Sequence, residues 1–402
     1  MGKPLEGIRI VELATHLAAP IAARVFADWG AYVVKVEPPE GEPWRTMGAA
    51  LGVPVRKDHN PAFQTPNINK ESIALNLKSP EGTQILHKLL EQADIFLTNT
   101  RPRALTKLGF DYETLKDKYP RLIYAHFGGF GDLGPDRDRP GFDLAAFWCR
   151  AGTPVEWTME GNTPFKAQGG FGDAACGALL TAALLTALIS RDKTGKGDFI
   201  RVSLYGSALW FNSNGLVTSY PEYGLKFPKS VEDLVAPNSP LYQSKDGDWF
   251  MVSIPDWNKG YAKTLSMLSL DKYLEDENFT SVTGFKKNPR RVTEIMQKEG
   301  YGQLSTAELE DRLIKGDFVF QRLVNPAEVH NDEQAWANDF LRKVTLEDGK
   351  NTNLPNNPVK FASFEPGFSL APQLGANTRS VLREIGYDEA AIDALIAGGA
   401  VK

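Results

Sequence analysis

Cysteine is scarce in this chain of 402 residues, because only Cys149 and Cys176 are present. Two cysteines cannot form a disulfide framework, and so low a number is typical of a reducing compartment. The first residues enter a strand pattern without an apolar signal segment, so we expect a cytoplasmic protein. Basic residues are not in excess, since 45 Lys and Arg face 50 Asp and Glu. This balance argues against a nucleic-acid partner but is compatible with a local anion site.

The common catalytic signatures are also missing. The sequence contains no P-loop, no G-x-S-x-G and no H-E-x-x-H. The first strand-to-helix turn, residues 14–20, reads ATHLAAP and lacks the glycines of a dinucleotide site. The five histidines are scattered and the two cysteines do not form C-x-x-C. These absences argue against an NAD-dependent oxidoreductase and predict no metal site.

The most membrane-like stretch of the sequence is shorter than a typical membrane span. Residues 174–190 form an uncharged run of 17 residues, whereas a spanning helix needs about 20. The run is rich in alanine and glycine, which suits a helix packed closely inside a protein. We therefore predict a buried core helix and no membrane partner.

Strand and helix patterns alternate through the first 130 residues. Strands are predicted over 8–13, 32–36, 94–97 and 122–127, and helices over 18–29, 80–92 and 112–118. Strands that alternate with helices pair in parallel, so the pattern predicts an α/β fold with an open parallel sheet. The pattern breaks around 221–238, and a hairpin near 241–253 with three further helices predicts a smaller α+β domain. We predict three segments, 1–220, 221–330 and 331–402.

Asp173 lies in a glycine-rich turn just before the predicted helix. Gly169, Gly170 and Gly172 precede it, and glycine lets a backbone approach a ligand closely. A carboxylate at this place could attack a thioester carbonyl, with loop amides binding the oxyanion. Asp is also a favoured helix N-cap, which stabilises a helix by about 1 kcal/mol. The spacing alone leaves both roles open.

Other candidates lie in loops that follow predicted strands. Arg101, Arg103 and Lys107 come after the strand that ends near Thr98, and His16 lies in the first such loop. Loops at the carboxyl ends of parallel strands line ligand crevices, and basic residues there could bind phosphates. A solvated helix face explains the basic residues equally well, and an ordinary loop or core position explains His16.

Several sequence blocks together resemble the class III CoA-transferases of the formyl-CoA and carnitine-CoA type. The blocks cover essentially the whole chain and include residues 4–20 (PLEGIRIVELATHLAAP), 98–115 (TNTRPRALTKLGFDYETL), 121–135 (RLIYAHFGGFGDLGP), 172–177 (GDAACG) and 374–395 (LGANTRSVLREIGYDEAAIDAL). The resemblance implies a Rossmann-like large domain to which the C-terminal segment returns, and an interlocked homodimer. It implies coenzyme A as a substrate and no tightly bound cofactor.

Site residues follow from the same resemblance. The family's nucleophilic aspartate falls on Asp173, and its glycine loop falls on Gly169, Gly170 and Gly172. Coenzyme A contacts are implied for His16, Leu17, Leu75, Asn99, Thr100, Lys107, Leu108 and Phe142. Arg45 is an additional phosphate candidate. Pro140 replaces a basic residue of some members, so the phosphate contact there is not carried over.

One residue that differs from the pattern of related racemases narrows the type of reaction. Related racemases have a His-Asp pair where this chain has Phe142 and Asp143, and Phe142 cannot exchange a proton. Residues 140–152 and 332–341 are similar to 2-hydroxyacyl-CoA transferases of the phenyllactate/cinnamoyl-CoA and 2-hydroxyisocaproate type. Formyl-, succinyl- and carnitine-type transfer, or CoA binding without catalysis, are the alternatives. The aromatic residues expected to form an acyl pocket are Trp44, Phe142, Phe147, Trp148 and Trp157.

Overall fold

A computed structural model describes residues 2–47, 52, 55 and 60–402. The chain forms two compact units, which we call unit 1 and unit 2. Unit 1 consists of Met1–Thr153, Lys166–Ser213 and Glu333–Lys402, and unit 2 of Pro154–Phe165 and Asn214–Asp332. The sequence patterns did not indicate that the short segment Pro154–Phe165 belongs with the later residues.

Six parallel strands form the sheet of unit 1. They are β1 (Arg9–Leu13), β2 (Tyr32–Glu37), β3 (Glu71–Ala74), β4 (Ile95–Thr98), β5 (Ile123–Gly128) and β6 (Phe199–Ser203). Their order is β3-β2-β1-β4-β5-β6, so the chain reverses direction across the sheet between β1 and β4. The predicted parallel α/β sheet is confirmed. Ligands of such sheets bind beyond the carboxyl ends of the strands, where the order reverses.

Unit 2 is built around β7 (Tyr242–Gln243), β8 (Trp249–Ser253) and β9 (Val319–Arg322), which pair antiparallel. The turn between β7 and β8 contains Gly247 with φ of 95°, as the Asp-Gly signal predicts. A further antiparallel pair, β10 (Leu341–Thr345) and β11 (Asn351–Pro355), belongs to unit 1.

The helices are numbered in chain order. They are α1 (Ala18–Asp28), α2 (Trp44–Met47), α3 (Pro61–Asn67), α4 (Pro80–Glu91), α5 (Pro102–Leu108), α6 (Tyr112–Leu115), α7 (Thr153–Glu156), α8 (Phe171–Thr194), α9 (Leu204–Phe211), α10 (Ser213–Thr218), α11 (Trp257–Met267), α12 (Glu277–Thr280), α13 (Val282–Phe285), α14 (Pro289–Ile295), α15 (Thr306–Lys315), α16 (Pro326–Val329), α17 (Glu333–Ala337), α18 (Thr378–Glu384) and α19 (Glu389–Ala397). A π-helical segment, Asp143–Cys149, follows β5.

Apolar layers cover both faces of the unit 1 sheet. On one face, α1 and α8 bury Phe26, Leu180 and Leu184 against β1, β4 and β5. On the other face, α4 packs together with Val381 and Ile392 of the C-terminal helices. Two covered faces explain why these strands are apolar throughout and do not alternate with polar residues.

Helix α8 is long and apolar enough to cross a membrane by length and composition. In the fold, one of its faces packs inside unit 1, where Cys176, Leu180 and Leu184 are fully buried. Its last turn is anchored by Arg191, whose guanidinium pairs with the carboxylate of Asp94 at 2.8 Å. Asp94 precedes β4 and also accepts the amide of Arg9 at 2.7 Å. The helix is therefore tied to the amino edge of the sheet.

Charged side chains are buried between the first strands. The Nζ of Lys35 lies 2.8 Å from Oε1 of Glu12 and 2.8 Å from Oε1 of Glu42. The Nζ of Lys70 lies 2.5 Å from the other oxygen of Glu12 and donates to the carbonyl of Pro20 at 2.8 Å. All four charges are compensated, which buried charges require.

Replacement of Lys35 with Met should destabilise the protein strongly. The change leaves Glu12 and Glu42 with a missing partner inside the core, which costs about 3–5 kcal/mol of the free energy of unfolding. Chemical denaturation measures the loss. Lys298→Met is the matched control, because its pair with Glu294 is mostly exposed and contributes less than about 1 kcal/mol. Equal effects of the two substitutions would contradict the assignment.

Candidate active site

A cavity of about 540 Å³ lies at the carboxyl edge of the unit 1 sheet. The loops after β1, β4 and β5 line it, together with the segment that leads into α8. Asp173 is part of its wall, as are Asn99 and Phe142. The position agrees with the ligand crevice expected where the strand order reverses.

Asp173 is the third residue of α8, and it is not the N-cap. The N-cap residue is Gly170, whose φ of 101° lies in the left-handed region. The helix thus begins three residues before the predicted start at 174, and of the two roles left open for Asp173 the N-cap role does not apply. Phe171 and Gly172 form the first turn although their sequence is typical of a loop.

Asp143 provides the cap from another part of the chain. Its Oδ2 accepts the amide of Gly170 at 2.7 Å. The amides of Gly172 and Asp173 and the Trp148 indole also favour its ionised form, although burial raises the pKa of Asp143 overall. Because Asp143 accepts the Gly170 amide, the Asp173 carboxylate is not needed to cap the helix at this position.

The electrostatic environment of Asp173 is unfavourable for a negative charge. Burial raises the pKa of Asp173 to about 7, and the nearby charge of Asp143 adds to the effect. At neutral pH the carboxylate is therefore only partly ionised. A carboxylate in this state is more basic than a solvated aspartate, and such perturbed groups in clefts are candidates for catalysis.

Two of the three predicted loop glycines have a packing reason. A Cβ on Gly172 would lie 2.2 Å from Oδ1 of Asp143, and one on Gly170 would lie 2.7 Å from Cδ1 of Leu17. A Cβ on Gly169 would have no neighbour within 4 Å. The amides of Gly170 and Gly172 are directed at Asp143. This leaves Gly169 as the loop amide still compatible with the predicted oxyanion role.

The loops that line the cavity are joined by side-chain contacts. Asn99 accepts the amide of Thr15 at 3.0 Å and donates to its carbonyl at 2.7 Å. The Nε2 of His126 lies 3.1 Å from the carbonyl of Thr100, and its Nδ1 lies 3.3 Å from Oδ1 of Asp132. Sequence analysis missed His126 and Asp132. The signal was a histidine at the end of a strand that enters a glycine-rich loop.

His16 and Leu17 both line the cavity, as Asn99 and Phe142 do. Other residues of the predicted set lie outside the lining. Leu75 is buried in the core, and Lys107 and Leu108 belong to α5. Thr100 contributes its carbonyl to the contact with His126.

Arg45 is engaged elsewhere. Its guanidinium makes two hydrogen bonds to Glu37, at 2.7 and 2.6 Å, and lines a different cavity. This pairing argues against Arg45 as a phosphate ligand. The basic residues at the candidate site are Arg101, Arg137, Arg139 and Lys166, of which sequence analysis considered only Arg101.

The aromatic residues expected around an acyl group separate into different environments. Phe147 and Trp148 are buried in the core beside α8. Trp157 belongs to unit 2, where it stacks on Phe165. Only Trp44 and Phe142 line the cavity. The predicted five-residue pocket is therefore reduced to two members.

Replacement of Asp173 with Asn should stabilise the protein at alkaline pH. The pKa of Asp173 is raised from 3.8 to about 7, so ionisation favours the unfolded chain as pH rises through this interval. Removal of the ionisable group should increase the free energy of unfolding by up to about 4 kcal/mol at pH 8. The gain should shrink towards zero as the pH is lowered to 4. Thermal denaturation across this range measures it, and a constant or negative difference would contradict the raised pKa.

The chain is similar to known proteins over nearly its whole length. Residues 5–378 match the profile of CoA-transferase family III. The chain is 38% identical over 393 residues to (R)-2-hydroxy-4-methylpentanoate CoA-transferase of Clostridioides difficile, covering 97% of both chains. It is 36% identical to cinnamoyl-CoA:phenyllactate CoA-transferase of Clostridium sporogenes, covering 97% of this chain and 95% of the relative. A crystal structure of a CAIB/BAIF family protein from Brucella suis superposes with a TM-score of 0.81 at 27% identity, covering 96% of this chain and 100% of that one. The chain therefore belongs to CoA-transferase family III and is a CoA-transferase.

Proposed function

We propose that this enzyme moves coenzyme A from a 2-enoyl-CoA to an (R)-2-hydroxy acid, with Asp173 as the nucleophile. The observation that carries the proposal is the Asp173 carboxylate on the cavity wall, with its pKa raised to about 7. Asp143 accepts the Gly170 amide, which leaves Asp173 available for attack. The 2-hydroxy acids in the names of two relatives support the acceptor class.

The reaction consists of successive acyl transfers at one carboxylate. An oxygen of ionised Asp173 attacks the thioester carbonyl, the carbon–sulfur bond breaks, and the CoA thiolate leaves. The thiolate then attacks the Asp173 carbonyl of the mixed anhydride, which releases the donor acid and forms an aspartyl-CoA thioester. The acceptor carboxylate attacks this thioester, and the returning thiolate takes the acceptor acyl group from the second anhydride. Asp173 is regenerated and no thioester is hydrolysed.

The basic residues of the cavity suit the charged part of coenzyme A. Arg101, Arg137 and Arg139 line the cavity on the side of the loops after β4 and β5. Arg137 and Arg139 are more than half exposed and their ion pairs, with Asp138 and Asp136, are long at 3.3 and 3.7 Å. Guanidinium groups bind phosphates strongly. We assign them to the CoA phosphates, in place of the contact that Pro140 cannot make.

Each alternative function would require a particular side chain or donor. A racemase needs a second proton-transfer group beside Asp173, and Phe142, which is 64% exposed at the cavity, cannot serve as one. A non-catalytic CoA-binding protein would bind CoA equally well without the Asp173 carboxylate. A succinyl-CoA donor is the alternative for the first half-reaction, and a relative from Chloroflexus aurantiacus named succinyl-CoA--L-malate CoA-transferase, 30% identical, favours it.

Asp173 should be trapped chemically during turnover. In the presence of acyl-CoA, hydroxylamine should convert the anhydride or thioester at Asp173 to a hydroxamate, which peptide mass spectrometry detects at this residue. Asp173→Asn should give no hydroxamate and should lose at least about a thousandfold in CoA exchange. Full transfer by this variant would refute the mechanism.

Asp143→Asn is the matched control, because it retains the nucleophile. It removes the charge that helps to raise the pKa of Asp173, so the acid limb of the pH–rate profile should move to lower pH. Hydroxamate should still form at Asp173. An unchanged acid limb would show that Asp143 does not act on Asp173 through its charge.

We also propose that the enzyme is an interlocked homodimer. Four large apolar side chains of α8 and α9 are more than half exposed in the single chain: Phe171, Ile189, Trp210 and Phe211. Exposed apolar residues of this size are typical of protein interfaces. Sedimentation equilibrium should give twice the mass of one chain, and a monomer would contradict the proposal.

A further inference from the structure

We propose that His16 is a specificity-determining residue whose imidazole hydrogen-bonds the 2-hydroxyl group of the acceptor acid. The inference rests on the proposed function and extends it, because it names the group that would distinguish a 2-hydroxy acid from a simple carboxylic acid.

His16 lies beside the start of α8. The next residue, Leu17, lies close to Gly170, because a Cβ on Gly170 would be only 2.7 Å from Cδ1 of Leu17. The His16 ring meets the ring of Phe142 edge-on, with centroids 5.2 Å apart. The residue after Phe142 is Asp143, which accepts the Gly170 amide. Both contacts therefore place His16 next to the turn that carries Asp173, and all three residues His16, Phe142 and Asp173 line one cavity.

The backbone at His16 is held in an uncommon conformation. Its φ of 64° lies in the left-handed region, which few residues other than glycine adopt. The amide of His16 donates to Oε2 of Glu42 at 2.7 Å, and Oε1 of Glu42 is paired with Lys35. Such conformations persist only where surrounding contacts impose them, and they occur preferentially at functional sites. The buried pair of Glu42 and Lys35 thus fixes the position of the His16 backbone and with it the place of the imidazole.

With respect to the residues that the structure describes, the His16 imidazole has free hydrogen-bonding capacity. Among the residues that the structure describes, none hydrogen-bonds the His16 ring, whose contacts are the edges of Phe142 and Trp44. Burial lowers the pKa of His16, while the charges that face it, Glu42 and Lys35, act in opposite directions. A neutral imidazole offers one donor and one acceptor. A hydroxyl group matches both, whereas Trp44 and Phe142 suit the apolar part of the acid.

A pair of acids that differ only in the hydroxyl tests the inference. CoA transfer to 2-hydroxy-4-methylpentanoate and to 4-methylpentanoate is measured with a common donor, and the ratio of the two kcat/KM values is compared between variants. His16→Phe retains an aromatic ring but removes both nitrogens. We expect the ratio to favour the hydroxy acid in the wild type and to fall roughly five- to tenfold in His16→Phe, the effect of one hydrogen bond.

Control variants separate this role from others. His87→Phe changes a histidine of α4 that packs on Phe110, and it should leave the ratio unchanged. His16→Asn accepts the left-handed backbone well but has a shorter side chain, so the ratio should fall there as well even if His16→Phe does not fold. A ratio that is unchanged in the His16 variants, or equal losses with both acids, overturns the inference.

CoA transfer by the wild-type enzyme to the two acids distinguishes failure of the inference from failure of the proposed function. Transfer to both acids at equal efficiency overturns only the role of His16. Transfer to neither acid, with no hydroxamate at Asp173, refutes the proposed function and the inference with it.

Discussion

The hydrogen bond from the Gly170 amide to the Asp143 carboxylate determines what the rest of the site can do. A helix that starts with a glycine in the left-handed region offers unpaired amides to any nearby carboxylate. Asp173 is close enough in sequence to accept one, yet Asp143, from the segment after β5, accepts the amide of Gly170. The consequence is a second carboxylate that is desolvated, close to another negative charge and without a capping role. Its basicity follows first from burial and second from the nearby charge of Asp143.

A second constraint acts on the loop after β1, which also lines the cavity. Lys35 and Lys70, deep between β1, β2 and β3, hold Glu12 and Glu42 in place. Glu42 in turn fixes the amide of His16, and Asn99 fixes both polar groups of Thr15. The loop after β1 is therefore positioned by charged groups in the core. A loop held in this way can present a side chain precisely without being part of a helix or strand.

The sequence predicted the parallel sheet because its strands and helices alternate, and α1 and α4 each end within one residue of expectation. It missed β3 and the hairpin of β10 and β11, because their sequences, ESIA, LRKVT and NTNLP, contain no continuous apolar run like that of β4. Arg45 and Asp173 illustrate a deeper limit. From the sequence, Arg45 could bind either a phosphate or Glu37, and either Asp173 or Asp143 could cap α8. The choice depends on residues that are brought together only by folding. The resemblance to a family identified Asp173, but local spacing could not have done so.

The anchoring of α8 at both ends has a consequence for motion during turnover. Arg191 pairs the last turn of α8 with Asp94 at the amino edge of the sheet. Asp143 holds the first turn of α8 at the cavity. In the proposed mechanism, the carboxylate of Asp173 therefore stays in one place while thioester bonds to coenzyme A form and break. The group that moves is then the sulfur of coenzyme A, at the end of its flexible chain. The width of the cavity limits how far this sulfur can move away from Asp173.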